Sequence, residues 1–94
     1  MNHSDEELND VYDLTDGECF YCGKRLSFAN YGDVGGHGAW EVDHFIPISR
    51  GGAHQPHNWV PACIDCNTRK ADLMPWDFDP DRFARDDRDV VNYL

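Results

Sequence analysis

Two Cys-x-x-Cys pairs, Cys19 with Cys22 and Cys63 with Cys66, enclose a 40-residue interior in a 94-residue chain. The short spacing lets the two thiolates of a pair converge on one ion, and a closed tetrahedral zinc site needs four such ligands. The chain holds four cysteines and no more. A redox reading would call for a single motif in a βαβ setting, and two matched pairs without that alternation argue against it. Zinc also answers a problem of size. Domains this short bury a limited core, and a structural metal supplies much of the missing folding energy. The cysteines therefore predict a zinc-stapled fold, which by itself implies no activity.

Around that frame the chain reads as a single domain over 1–94, with its core at 19–73. Ser4-x-x-Glu7 has the form of a capping box, with Leu8, Val11 and Tyr12 following at helical spacing. This predicts a helix over 5–14, ended by the turn signal Asp16-Gly17. The glycines between Asn30 and Ala39 predict a mobile loop, either closing over a ligand or a neutral insertion. Trp40 to Ile46 has the β-branched and aromatic content of a strand, stopped by Pro47 and turned by Ser49-Arg50-Gly51-Gly52. Asn58-Trp59-Val60 is the expected return strand, closed by Pro61, and Cys63 to Leu73 reads as a second knuckle running into a helix. Asp79-Pro80 has the form of a helix start. Phe83, Val90, Val91 and Leu94 then share a face of a helix over about 80–91, expected to pack as a lid. No stretch approaches the ~20 apolar residues of a membrane span, and the N-terminus lacks the features of a secretory signal. The expectation is a cytoplasmic protein with no membrane partner, whose thiols stay reduced and bind metal.

A second constellation lies inside the zinc frame. Asp43-His44 stands near the end of the first predicted strand, Asn58 opens the return strand, and Asn67 directly follows the last cysteine. Zinc would pin the start of the second helix against residues 19–22 and so set Asn67 relative to the strands. A carboxylate and an amide oxygen are hard donors suited to Mg²⁺ or Mn²⁺. A neighbouring histidine can take a proton from water near neutral pH. Phosphodiester hydrolysis requires those two things, an activated water and a cation on the phosphate and leaving oxygen. Each residue also has a plainer reading: Asp43 as a turn cap, His44 as a satisfied core histidine, Asn58 as a turn residue, Asn67 as a helix-terminus residue. His57 reads as surface, His37 and His54 as loop residues that their spacing does not assign, and His3 as part of a frayed terminus.

Taken together, Cys19-x-x-Cys22, Val42-Asp43-His44-x-x-Pro47-x-Ser49-x-Gly51-Gly52, Asn58 and Cys63-x-x-Cys66-Asn67-x-x-Lys70 resemble the zinc-containing HNH endonuclease family. The resemblance covers roughly residues 19–70. It implies a small α+β fold: a ββα-metal core stapled by a four-cysteine zinc site, here with flanking N- and C-terminal helices. It implies that Asp43 ligates a catalytic metal, that His44 is the general base, and that Asn58 orients the base by holding the loop between the strands. Asn67 would be the second metal ligand, at a position often occupied by histidine. An amide prefers harder ions than imidazole does, which points to Mg²⁺ or Mn²⁺ there and leaves zinc to the cysteines.

The charge distribution bears on the substrate. The net charge is −10, the wrong sign for a nucleic-acid binder read naively. Residues 1–18 carry seven acids and no Lys or Arg, and residues 71–94 carry seven acids and three arginines. The middle, 19–70, is +1: Lys24, Arg25, Arg50, Arg69 and Lys70 stand against Asp33, Glu41, Asp43 and Asp65. The acidic ends suit either a high-salt surface or a basic protein partner. Arg50, Arg69 and Lys70 are the expected phosphate contacts, with a plain solvated-helix reading open for Arg69 and Lys70. Five cations make a thin surface, so weak, salt-sensitive DNA binding is expected, without base readout. Two other functions stay open: a catalytically silent zinc module that binds a protein partner, and a nuclease subunit active only within a larger phage or restriction complex.

Overall fold

The computed structural model describes residues 3–83. Helix α1 (Asp5–Leu14) starts at the capping box: the Ser4 hydroxyl accepts from the Glu7 N–H at 3.2 Å, and the Ser4 N–H donates to Glu7 Oε1 at 2.8 Å. Asp5, Glu6 and Glu7 in its first turn complement the helix dipole. Strands β1 (Trp40–His44) and β2 (Trp59–Cys63) form a two-stranded antiparallel sheet with Trp40 opposite Cys63 and His44 opposite Trp59. Helix α2 (Ile64–Lys70) follows β2 directly, and a short helix α3 (Pro75–Phe78) comes after it. The result is a small α+β fold with a ββα core.

The strands differ from the sequence reading in an instructive way. Pro61 does not close β2, which runs on to Cys63. Phe45 N–H donates to the Asn58 carbonyl at 2.9 Å. Counting from that bond, Val42 and Pro61 face each other as a pair that exchanges no hydrogen bonds. Proline there removes no ladder bond, and its carbonyl instead accepts from Phe20 N–H at 2.8 Å. All five residues of β2 are buried. The core gathers Trp40, Ile46, Val60 and Ala62 of the sheet region with Leu8 and Val11 of α1.

Alternation along β1 sends Asp43 towards Tyr21 and α2, and His44 towards His54 and Trp59. The glycine loop after Asn30 is held at the Trp40 end of β1. Gly32 N–H donates to the Trp40 carbonyl and Ser27 N–H to Gly38, both at 2.9 Å, and Asn30 Nδ2 reaches the His37 carbonyl at 2.7 Å. That is the end of β1 remote from His44. Helix α3 was not foreseen; Pro75 opens it at a first-turn position, where a missing N–H costs nothing. Of the helix expected over about 80–91, residues 84–91 lie outside the described residues. Residues 79–83 form a turn in which the Asp79 carbonyl accepts from Phe83 N–H at 3.0 Å. The Phe83 ring stacks on Phe20 at 5.8 Å and covers the first knuckle. Among the described residues no helix is long and apolar enough to cross a membrane.

Candidate active site and zinc centre

The knuckles meet where β2 passes into α2. All four cysteine sulfurs lie within 4.8 Å of one another, and Cys22 Sγ is 3.8 Å from Cys63 Sγ. A tetrahedral ion with Zn–S bonds of about 2.3 Å sets its sulfurs about 3.8 Å apart. The donor set therefore fits zinc, and no pair is close enough to be a disulfide. Backbone N–H groups aim at the sulfurs, Cys63 N–H at Cys19 Sγ (3.3 Å) and Cys66 N–H at Cys63 Sγ (3.4 Å). Burial acts to raise the Cys19 thiol, but the N–H groups of Cys63, Cys22 and Tyr21 outweigh it and lower its pKa. Burial raises those of Cys63 and Cys66.

Asn58 is wholly buried and closes the loop between the strands. Its Oδ1 accepts from Ile46 N–H, and its Nδ2 donates to the carbonyls of Ile46 and Ala53, each at 2.9 Å. Gly52 lies so close that an added Cβ would fall 1.8 Å from the Ile46 carbonyl oxygen. Only glycine fits where the loop passes over the end of β1. The motif Gly51-Gly52…Asn58 thus has a steric cause at one end and a hydrogen-bonding cause at the other.

Asp43 is 6% exposed and Lys70 0%. Lys70 Nζ stands 3.1 Å from Asp43 Oδ2 and 3.1 Å from the His44 carbonyl, and the Tyr21 hydroxyl also donates to Asp43 Oδ2. Both contacts use Oδ2; Oδ1 takes part in neither. Burial raises the Asp43 pKa while Lys70 and Tyr21 pull it down. It lowers that of Lys70, opposed by Asp43. It also pushes the Tyr21 phenol well up, so Tyr21 acts as a hydrogen-bond donor.

His44 is half-buried. Its Nε2 lies 2.9 Å from His54 Nδ1. Burial lowers its pKa from the usual histidine value, and the charges of His54, His3 and Lys70 act in the same direction. His54 packs on Trp59 (ring centroids 5.1 Å), and His3 stands edge-on to Trp59 at 4.5 Å. His3 is therefore tucked against the sheet, where a frayed end was expected.

Asp43, His44 and Asn67 line one solvent-open cavity of about 260 Å³, with Pro47, Ser49 and Asp72 on its rim. The predicted cations are distributed differently. Arg50 is exposed and does not line this cavity; its Nε donates to the carbonyl of Asp72, a lining residue, at 2.7 Å. Arg69 lies beside the zinc centre, paired with Asp65 at 3.2 Å and donating to Cys66 Sγ at 3.5 Å. Lys70, expected to touch phosphate, faces inward: its ammonium is sealed from solvent by its bonds to Asp43 and His44.

A sequence model of the HNH endonuclease family matches residues 19–73. The chain belongs to the HNH endonuclease family. No curated protein matches it. The HNH match begins at the first zinc ligand and ends just after α2, so α1 lies outside it. Within the HNH core, sequence reasoning passed over two side chains and left a third, His54, without a role. Tyr21 is an unremarked residue inside the first knuckle, Asp72 follows the helix, and His54 stands ten residues after His44 in the loop that Asn58 closes. His54 alone carried a usable signal, a second imidazole between the strands.

Proposed function

We propose that this chain is a metal-dependent endonuclease that hydrolyses phosphodiester bonds in DNA. The observation that supports this best is the cavity shared by Asp43, His44 and Asn67, a base and two oxygen donors opening to solvent. Asp43 and Asn67 would hold the catalytic ion. Mg²⁺ commonly binds through one or two carboxylates with water and substrate phosphate completing its shell, and two protein oxygens suit that habit. Such an ion would supply positive charge against the scissile phosphate and the leaving oxygen.

His44 takes the proton of the attacking water. Its lowered pKa keeps the imidazole neutral at physiological pH, the form a base needs. Asn58 holds the loop that flanks the base. Lys70 acts one step back, as a positioning residue, by fixing the Asp43 carboxylate through Oδ2 and the His44 backbone through its carbonyl. Arg50, tied to the Asp72 carbonyl beside the cavity, contacts substrate phosphate, and Arg69 contacts the backbone further along. Cys19, Cys22, Cys63 and Cys66 would hold a structural zinc, which would tie α2, and with it Asn67, to the first knuckle.

The test is nicking of supercoiled plasmid by zinc-loaded protein with Mg²⁺ or Mn²⁺ over a range of salt, beside His44→Ala. Metal-dependent nicking that disappears in the variant is the expected result. Folded wild type that cuts nothing at any salt would overturn the solitary enzyme in favour of a silent module or a partner-dependent subunit.

A further inference from the structure

His44 and His54 meet nitrogen to nitrogen, Nε2 to Nδ1 at 2.9 Å. At that distance one proton lies between the rings, and its placement decides what His44 can do. If His54 Nδ1 carried the proton, His44 Nε2 would accept it. A neutral His44 would then hold its own proton on Nδ1 and have no free lone pair. If His44 Nε2 carries the proton and His54 Nδ1 accepts it, the His44 Nδ1 lone pair is free. Only the second arrangement leaves a base.

We propose that His54 is a positioning residue that accepts the His44 Nε2–H, fixing both the ring and the tautomer that leaves Nδ1 free to take a proton from water. His54 is itself held. Its ring packs against Trp59, and His3 lies over both, at 5.5 Å from His54 and 4.5 Å from Trp59. His3 immediately precedes the Ser4 cap of α1, so the helix outside the family match reaches the candidate base through two imidazoles. When His44 takes the proton on Nδ1, its Nε2–H becomes a charged donor and the bond to His54 strengthens. No proton need pass to His54.

The inference rests on the proposed role of His44, and its test has an arm that needs no turnover. Long-range ¹H–¹⁵N correlation spectra of zinc-loaded protein above pH 7.5 report which ring nitrogen of His44 carries hydrogen. The expected pattern is Nε2–H in the wild type, retained in His54→Asn, whose Oδ1 can stand where Nδ1 stood, and lost in His54→Leu. In plasmid nicking, His54→Leu should lose about tenfold in kcat with KM unchanged, and His54→Asn should recover most of it, in the range typical of groups that orient a first-contact residue. Equal zinc content and unfolding midpoints separate this from misfolding. An Nδ1–H wild-type His44, or a His54→Leu enzyme of wild-type kcat, would overturn the assignment. A wild type with the expected spectrum and no nicking would instead overturn the proposed function.

Discussion

Lys70 stands where the sequence pattern puts it, yet its ammonium faces inward. Its place three residues after Asn67 was legible, but its burial was not. An ammonium enters the interior only because Tyr21 and Asp43, far apart in sequence, converge on it when the first knuckle closes. Nothing in local spacing records that. Truncating one partner of a buried ion pair strands the other, so Lys70→Met should lose about 3 kcal/mol of stability. Denaturant midpoints of zinc-loaded protein would measure it, and Asp43→Leu/Lys70→Met should recover much of the loss; an unshifted single variant would deny the pair any structural weight. His44 makes the complementary prediction in pH. Burial lowers its pKa below 6.5, so the imidazole proposed as base stays neutral into mildly acidic solution. The acidic limb of kcat/KM should therefore fall below pH 6.5. For stability the sign is the same: below pH 6.5 the unfolded chain takes up this proton more readily than the folded one, and stability drops as pH falls through the folded value. An activity limb centred above pH 7 would contradict the assignment of His44 as base.

At the scale of elements, turn and cap chemistry was legible and strand length was not. The capping box marked α1 because both of its hydrogen bonds are local. Pro61 looked like a terminator because proline lacks a donor, yet the pairing register places it where no donor is needed, and register is a property of two strands together. The loop between the strands depends on one amide. Asn58→Ala would leave the Ile46 N–H and carbonyl without their side-chain partner deep in the fold. The expected cost is about 2–3 kcal/mol, from groups stripped of partners and still buried. Gly52→Ala should harm the loop too, since its methyl would meet backbone. Thermal unfolding would rank both variants below wild type. Nicking by Asn58→Ala, assayed well below its midpoint, should fall further than its folded fraction does if the loop positions His44. Activity that simply tracks folded fraction would make Asn58 structural only.

The whole molecule carries an electrostatic problem: the proposed activity requires phosphate to reach a near-neutral core flanked by acidic ends. α1 concentrates it, with Asp5, Glu6, Glu7, Asp10 and Asp13 on one helix and no Lys or Arg. The range of that repulsion depends on salt, because the Debye length falls from about 30 Å at 0.01 M to about 10 Å at 0.1 M. At low salt the helix should act across the small fold and oppose DNA. At moderate salt it is screened, while cations that touch phosphate directly still bind. Ordinary counterion release would give only a monotonic loss of affinity with salt. This chain should instead bind DNA best at an intermediate salt concentration. Replacing Asp5, Glu6, Asp10 and Asp13 with their amides, while sparing the capping Glu7, should strengthen binding at low salt and restore the monotonic fall. Fluorescence anisotropy on a labelled duplex, in Ca²⁺ to limit cleavage, would read both curves. If wild type and the amide variant fall in parallel from the lowest salt upward, the acidic helix does not oppose the substrate, and its charge must serve something other than the DNA encounter.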